Sequence, residues 1–329
     1  MKDKTEKFVV SKILEGVYGR SFSEVIYTQG VGISGRIRLS ELSDSQAPVI
    51  KDVLAIVSKA MKSKTIKHDF SGQNFAGYVW CEDLFRITAE KSHMRLLIMC
   101  ADKYEMRSSG TPPFPCDPTF RSEDMFFTSA TLGRAYNFKK ERRYSDILVQ
   151  YIKDISTQKP DGLFSHNVDA SWNWGRSNGF ANLGLLEALY FLKDIENRES
   201  YNHIMERYLV HINAITSLQR DNGMWSQVLD RNDSYDEFSV TCMMAYSIAR
   251  GLRLGWLGKE YGETLDRAFG GIYDRIDESG GLKNVCVGTG VQNSIGDYLN
   301  RPAVSGFDHR GGSFALWFIA EYILLTSPK

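Results

Sequence analysis

One pattern recurs along this chain and limits the folds open to it: a helix, a short charged turn, then a second helix that opens on an aromatic or a methionine. Leu84-Phe85 runs through Arg-Ile-Thr-Ala-Glu-Lys into a helix from Met94, and Ala135-Tyr136 through Asn-Phe-Lys-Lys-Glu-Arg-Arg into one from Tyr144. Leu189-Tyr190 leads in the same way to Tyr201, and residues 252–256 lead to Tyr261. The units lie about 50–60 residues apart, further than in common helical solenoids. Apolar residues keep three-and-four spacing, as in Leu185, Ala188, Leu189 and Leu192, or Met244, Ile248 and Leu252. Residues 228–229 and 284–287 are the only candidates for strands, and short ones. One hairpin cannot bury both its apolar faces. Stacking side by side buries them, and about six units account for the length. An open solenoid and a closed ring both satisfy this. The loops opposite the charged turns (162–179, 221–237 and 286–312) hold tryptophans, glycines, histidines and carboxylates, and a closed ring brings them to one mouth.

Composition narrows the partners. Forty basic residues balance forty acidic ones, and no basic tract stands out, so nucleic acid and anionic membranes are poor partners. The stretch 8–14 is broken by Ser11 and Lys12, so neither a secretory peptide nor a membrane span is expected. Cys81, Cys100, Cys116, Cys242 and Cys286 are odd in number and widely spaced, which argues against a disulfide framework or a metal site and for a cytoplasmic protein. Residues 1–67 read as an amphipathic first helix and a glycine-rich loop at 30–35. Four of the eight prolines mark the long loop 108–121.

The richest stretch is Gly162-Leu-Phe-Ser-His166-Asn-Val-Asp169-Ala-Ser-Trp172-Asn-Trp174-Gly-Arg176-Ser-Asn178-Gly179-Phe180. Tryptophan stacks on the C–H face of a sugar, Asn, Asp and His bond its hydroxyls, and Arg offers a planar fork to a uronate. The same residues also suit a loop whose tryptophans cap the core and whose Arg pairs with Asp169. A second stretch carries Trp225, Gln227, Glu237 and Ser239; the last two equally suit the N-terminus of the following helix. A third holds Gly288-Thr-Gly290, Tyr298, Arg301 and Asp308-His309, without the lysine a phosphate loop requires. Glu123-Asp124 open an apolar helix after the long loop, either as dipole partners or as a general acid and base. His68 to Asn74 reads as a generic polar loop.

In order and spacing, these blocks resemble the unsaturated glucuronyl and rhamnogalacturonyl hydrolases, glycoside hydrolase families 88 and 105. The similarity runs from about Leu84 to Tyr322. It implies an all-α (α/α)6 barrel, a single catalytic domain over residues 1–329, with His166, Trp174 and Arg176 lining the sugar site and Phe180 where a tryptophan is usual. The wider set of substrate-binding candidates is Asp169, Trp172, Asn178, Trp225, Gln227, Tyr298 and His309. The family's catalytic aspartate falls on Glu123, with Asp124 beside it. Its second acid falls on Gly72 or Gln73, neither of which titrates, and Asp69 is the nearest carboxyl.

The resemblance further implies hydration of the C4=C5 bond of a terminal unsaturated uronic residue, with oligosaccharide as partner, no metal or organic cofactor, and a monomer or homodimer. Another sugar enzyme on the same ring, an epimerase or a lyase, is the first alternative. A catalytically impaired carbohydrate-binding homologue, suggested by the absent second acid, is the other.

Overall fold

The computed structural model describes residues 5–42 and 46–327. Helices alternate between an inner and an outer layer. The inner layer is α2 (Tyr27–Ser40), the broken segment α4 (Gly72–Phe75) and α5 (Trp80–Thr88) joined by a 3-10 turn, then α7 (Glu123–Lys139), α9 (Gly175–Phe191), α11 (Phe238–Arg253) and α14 (His309–Thr326). The outer layer is α1 (Glu6–Val17), α3 (Gln46–Met61), α6 (Arg95–Ala101), α8 (Arg142–Asp154), α10 (Arg198–Ser217) and α12 (Gly262–Tyr273). Each inner helix packs on the next, and α14 returns to α2, so the ring closes. The outer partner of α14 is α1: the first helix completes the last of six hairpins.

The two layers differ in sequence for a physical reason. Outer α8 buries only Tyr144, Ser145, Ile147, Leu148, Tyr151 and Ile152, one stripe of a helix with water on its other side. Inner α7 is buried continuously from Glu123 to Ala135, and α11 from Phe238 to Gly251, because each is flanked by two inner neighbours and backed by an outer helix. The glycine-rich stretch expected as a loop at 30–35 is instead the middle of inner helix α2. There glycine serves close approach rather than a turn: a Cβ on Gly30 would overlap the Gly77 backbone, and one on Gly35 would come 2.6 Å from Leu316 Cβ.

Strands are few. β1 (Trp225–Ser226) pairs with β2 (Asp236–Glu237), and β3 (Leu282–Cys286) with β4 (Ala303–Gly306), both antiparallel. The expected strand at 284–287 falls on β3. That at 228–229 is only a bridge from Val228 to Trp174. Between β3 and β4 the chain makes an excursion with one short helix, α13 (Ile295–Leu299), on the same side as the N-termini of the inner helices. The loop after α6 extends to the start of α7, as the prolines indicate.

Among the described residues no helix is long and apolar enough to cross a membrane. All five cysteines are buried free thiols.

Candidate active site

The inner helices begin at one end of the barrel, and their first residues form the site. Tyr27 opens α2, Gly72 opens α4, Glu123 opens α7, Gly175 opens α9 directly after Trp174, and His309 opens α14. Backbone N–H groups at these ends bias the mouth toward anions. Beneath lies an aromatic layer. Tyr27 meets Phe127 at 5.1 Å and Phe180 at 5.4 Å, and Phe126 meets Phe314 at 6.0 Å and Trp317 at 5.9 Å.

At the centre stands His166, fully buried. Its Nε2 is 3.2 Å from Glu123 Oε1, and its Nδ1 is 2.6 Å from the Tyr298 hydroxyl. Trp174 lies against its ring at 4.5 Å, and the Arg176 guanidinium stacks on Trp174 at 5.1 Å. Three distant segments therefore meet on one imidazole.

The adjacent acids have opposite fates. Burial disfavours ionisation of Glu123, but His166 facing it at 3.2 Å, with Arg121 behind, outweighs it and holds the carboxyl below its ordinary range. Asp124 turns the other way around α7. Its Oδ2 accepts the N–H of Asp117 at 2.8 Å, and burial, with the Glu123 charge adding, pushes its carboxyl up to about 7 against the pull of Arg121. Successive residues thus carry carboxyls displaced in opposite directions, Glu123 down and Asp124 up.

Gly72 stands where the second acid of the resemblance falls. A Cβ there would lie 3.3 Å from Asp124 Oδ1 and 3.1 Å from Phe127 Cβ. Asp69, the expected assistant, is exposed in the turn ahead of α4, so it is the side-chain-free Gly72 that faces Asp124.

Several expected sugar contacts are committed elsewhere. Asn178 is fully buried: it holds the Phe164 N–H at 2.8 Å and C=O at 2.9 Å and donates to the Trp174 carbonyl, as a strap between the loop and α9. Trp225 is buried too, its Nε1 donating to the Ile215 carbonyl at 2.7 Å. Gln227 donates to the Tyr298 carbonyl at 2.9 Å and so anchors α13. Arg176 does not pair with Asp169. It donates to the carbonyls of Cys286, at 2.7 Å, and Val287. Glu237 caps α11 through the N–H groups of Ser239 and Val240 and also takes the Cys286 N–H at 2.8 Å, so its capping role holds. Asp169 and His309 are exposed, with His309 edge-on to Tyr18 at 6.0 Å. Trp172 is half-buried over Tyr298 at 5.6 Å. Phe180 forms part of the aromatic layer.

Tyr27 and Arg121 also stand at the mouth and were not anticipated. Tyr27 opens α2 and feels the charges of Arg176, Glu123, Arg310 and Asp308 together. Arg121 Nε is 3.9 Å from Glu123. The signal available for Tyr27 was an aromatic just before a glycine-spaced helix; for Arg121, a cation two residues before an acid pair.

Comparison with known proteins agrees with this geometry. The family profile described as Glycosyl Hydrolase Family 88 matches residues 122–326. The unsaturated rhamnogalacturonyl hydrolase YesR of Bacillus subtilis (strain 168) is 28% identical over 188 residues, covering 56% of this chain and 51% of YesR, so the match spans about half of that relative. Protein Atu3128 of Agrobacterium fabrum is 29% identical over 216 residues, 55% of this chain and 91% of its own. A possible GH105 member from Klebsiella pneumoniae superposes with a TM-score of 0.82 at 19% identity, over 98% of this chain and 92% of that one. An unsaturated glucuronyl hydrolase from Bacillus sp. GL1 does so with 0.66 at 12%, over 97% and 94%. These structures establish the (α/α)6 barrel, and the profile match establishes that the chain belongs to Glycosyl Hydrolase Family 88.

Proposed function

We propose that the chain removes a terminal unsaturated uronic residue from oligosaccharides of the kind polysaccharide lyases release. The observation that carries this reading is the adjacent pair at the anion-favouring end of an aromatic-lined barrel, Glu123 against His166 at 3.2 Å and Asp124 buried, their carboxyls displaced in opposite directions. Unsaturated uronides are also named in the activities of YesR and of the Bacillus sp. GL1 enzyme.

The chemistry needs one proton donor and one base. Asp124 gives its proton to C4 as the C4=C5 electron pair forms the new C–H bond. Positive charge then develops at C5, next to the ring oxygen. Glu123 takes a proton from a water molecule as the water oxygen bonds to C5. The product is a hemiketal, which opens and releases the rest of the oligosaccharide. Two neighbouring carboxyls in opposite protonation states are what such a step requires near neutral pH. The uronate meets the helix N-termini and the arginines of the mouth. We place the reaction in the cytoplasm, a reading supported by the five unpaired thiols.

The test is ultraviolet absorbance of the conjugated double bond on mixing with a panel of lyase-made disaccharides. Loss of absorbance, abolished in Glu123→Gln, supports the reading; full rate in both Glu123→Gln and Asp124→Asn overturns it. The Tyr298–His166 bond favours one second reading, a lyase, since a phenol and an imidazole in contact suit proton abstraction. On intact polysaccharide a lyase makes absorbance rise. Calorimetric binding of the disaccharide without turnover points to the impaired, binding-only homologue.

A further inference from the structure

The geometry around His166 fixes where protons sit in the site. Tyr298 Oη is 2.6 Å from His166 Nδ1, and the backbone N–H of Gln292 points at the same oxygen from 3.2 Å. A backbone N–H only donates, so the phenol oxygen accepts from it. The phenol proton then goes to a different partner, and among the described residues Nδ1 is the acceptor within reach. A neutral imidazole that accepts at Nδ1 carries its own proton on Nε2. That nitrogen faces Glu123 Oε1 at 3.2 Å.

We propose that Tyr298 is a positioning residue, whose O–H holds His166 in the Nε2–H tautomer so that a hydrogen bond is kept on the Glu123 carboxylate. The proposal rests on the reading of Glu123 as the base that activates water.

The placement of Tyr298 is over-determined, as a residue with this task requires. It arrives on α13, 132 residues from His166 in sequence. Gln227 takes up its carbonyl, and its ring packs against Trp172 and Trp174, at 5.6 and 6.3 Å. It is fully buried, with both hydroxyl functions committed, so its role differs from that of an open hydroxyl-binding tyrosine. The surroundings of Glu123 leave His166 the decisive donor. Tyr27 faces it from α2, Tyr151 from α8, Tyr298 from α13, and Asp124 is its neighbour on α7. Arg121 approaches only to 3.9 Å, and the Ser122 hydroxyl sits at 3.4 Å.

The experiment is nitrogen-15 NMR of histidine-labelled full-length protein, with His166→Gln assigning one signal among the six histidines. The expected result is a protonated Nε2 and a bare Nδ1 in the parent, with that preference lost in Tyr298→Phe. With unsaturated disaccharide, Tyr298→Phe is expected to lower kcat/KM about ten- to a hundredfold, the loss of one hydrogen bond to a charged group. The acid limb of its pH profile moves to higher pH, because Glu123 protonates more readily without its donor. A proton on Nδ1 in the parent overturns the proposal, and so does a Tyr298→Phe protein with unchanged tautomer and unchanged pH profile. If Tyr298→Phe does not fold, the parent spectrum alone decides. Absence of turnover by the parent counts against the hydrolase reading and leaves the tautomer assignment standing.

Discussion

The two ends of the barrel bury charge in different ways. At the end away from the mouth, where the inner helices finish, Arg134 pairs with Glu187, both fully buried, and Arg250 approaches the same carboxylate at 3.6 Å. Arg38 and Arg86 hold Asp83 at 3.1 and 3.0 Å, and Arg253 pairs with Glu321. Cations at helix C-termini oppose the negative end of each dipole. Burial resists ionisation of Asp83 and Glu187, yet the guanidiniums outweigh it and both carboxyls stay below their ordinary range; Glu82, beside Asp83, goes the other way. At the mouth, two acids on one turn share Arg121, but the imidazole faces only Glu123, and the pair splits. The aromatic layer separates the two ends, with Trp317 bonded downward to Ser34 at 2.9 Å. One end uses ion pairs to tie α2 to α5, and α7, α9, α11 and α14 to one another. The other compensates Glu123 and leaves Asp124 under-compensated, the condition the proposed proton transfer needs.

The largest expected effect tests the mouth. Glu123→Gln keeps the shape and removes the base, so kcat on an unsaturated disaccharide is expected to fall about 10²–10⁴-fold. Its thermal transition should move little. A rate within a few fold of the parent breaks the contrast, because the mouth would then be as purely structural as the far end.

The far end is tested by Glu187→Ala. It leaves Arg134 and Arg250 buried without their shared carboxylate, at a cost of about 3–5 kcal/mol in urea unfolding. Turnover per folded molecule should be retained. Because the folded-state pKa of Glu187 is depressed, its stabilisation is present above the ordinary carboxylate range and is lost as pH falls through it. The parent's acid unfolding should therefore be steeper than that of the variant.

Much of this contrast could be read before coordinates. The hairpins were legible because charged turns and three-and-four spacing are local signals, and the start of α7 was legible from an acid pair before an apolar run. The far-end network was not, since Arg134 and Glu187 lie 53 residues apart and nothing local distinguishes them from solvated charges. Within the mouth, the order of motifs picked out segments that the fold brings together but not the role of each side chain. Asn178 and Trp225 have the composition of sugar contacts, yet their partners are backbone groups of Phe164 and Ile215, invisible to sequence patterning. Tyr27 escaped because glycines in an inner helix resemble those of a loop until a neighbouring backbone is seen to need the space.

Asp124→Asn is expected to separate the two properties. The Asp124 carboxyl is raised to about 7, so the folded state binds its proton more tightly than the unfolded chain does. Between the ordinary carboxylate range and neutrality, this group's contribution to stability declines as pH rises. An amide does not ionise, so at pH 8 the variant should be more stable than the parent, by at most about 4 kcal/mol. At pH 4 the difference should vanish. Activity should be lost at both values. A parent whose urea midpoint matches that of Asp124→Asn at pH 8 would show that the acid ionises freely in the fold.

The smallest effect concerns the position the acid pair lacks. Asp69 is exposed ahead of α4, and surface substitutions of this kind change stability by no more than about 0.5 kcal/mol. If the mouth works with Glu123 and Asp124 alone, Asp69→Asn leaves the rate and both limbs of the pH profile where they are. Should its rate instead drop tenfold, the turn at 68–70 must fold inward over Gly72 when substrate binds, carrying a third carboxyl to Asp124. The contrast would then sharpen: the far end would be fixed by its ion pairs, and the mouth would be completed only by its ligand.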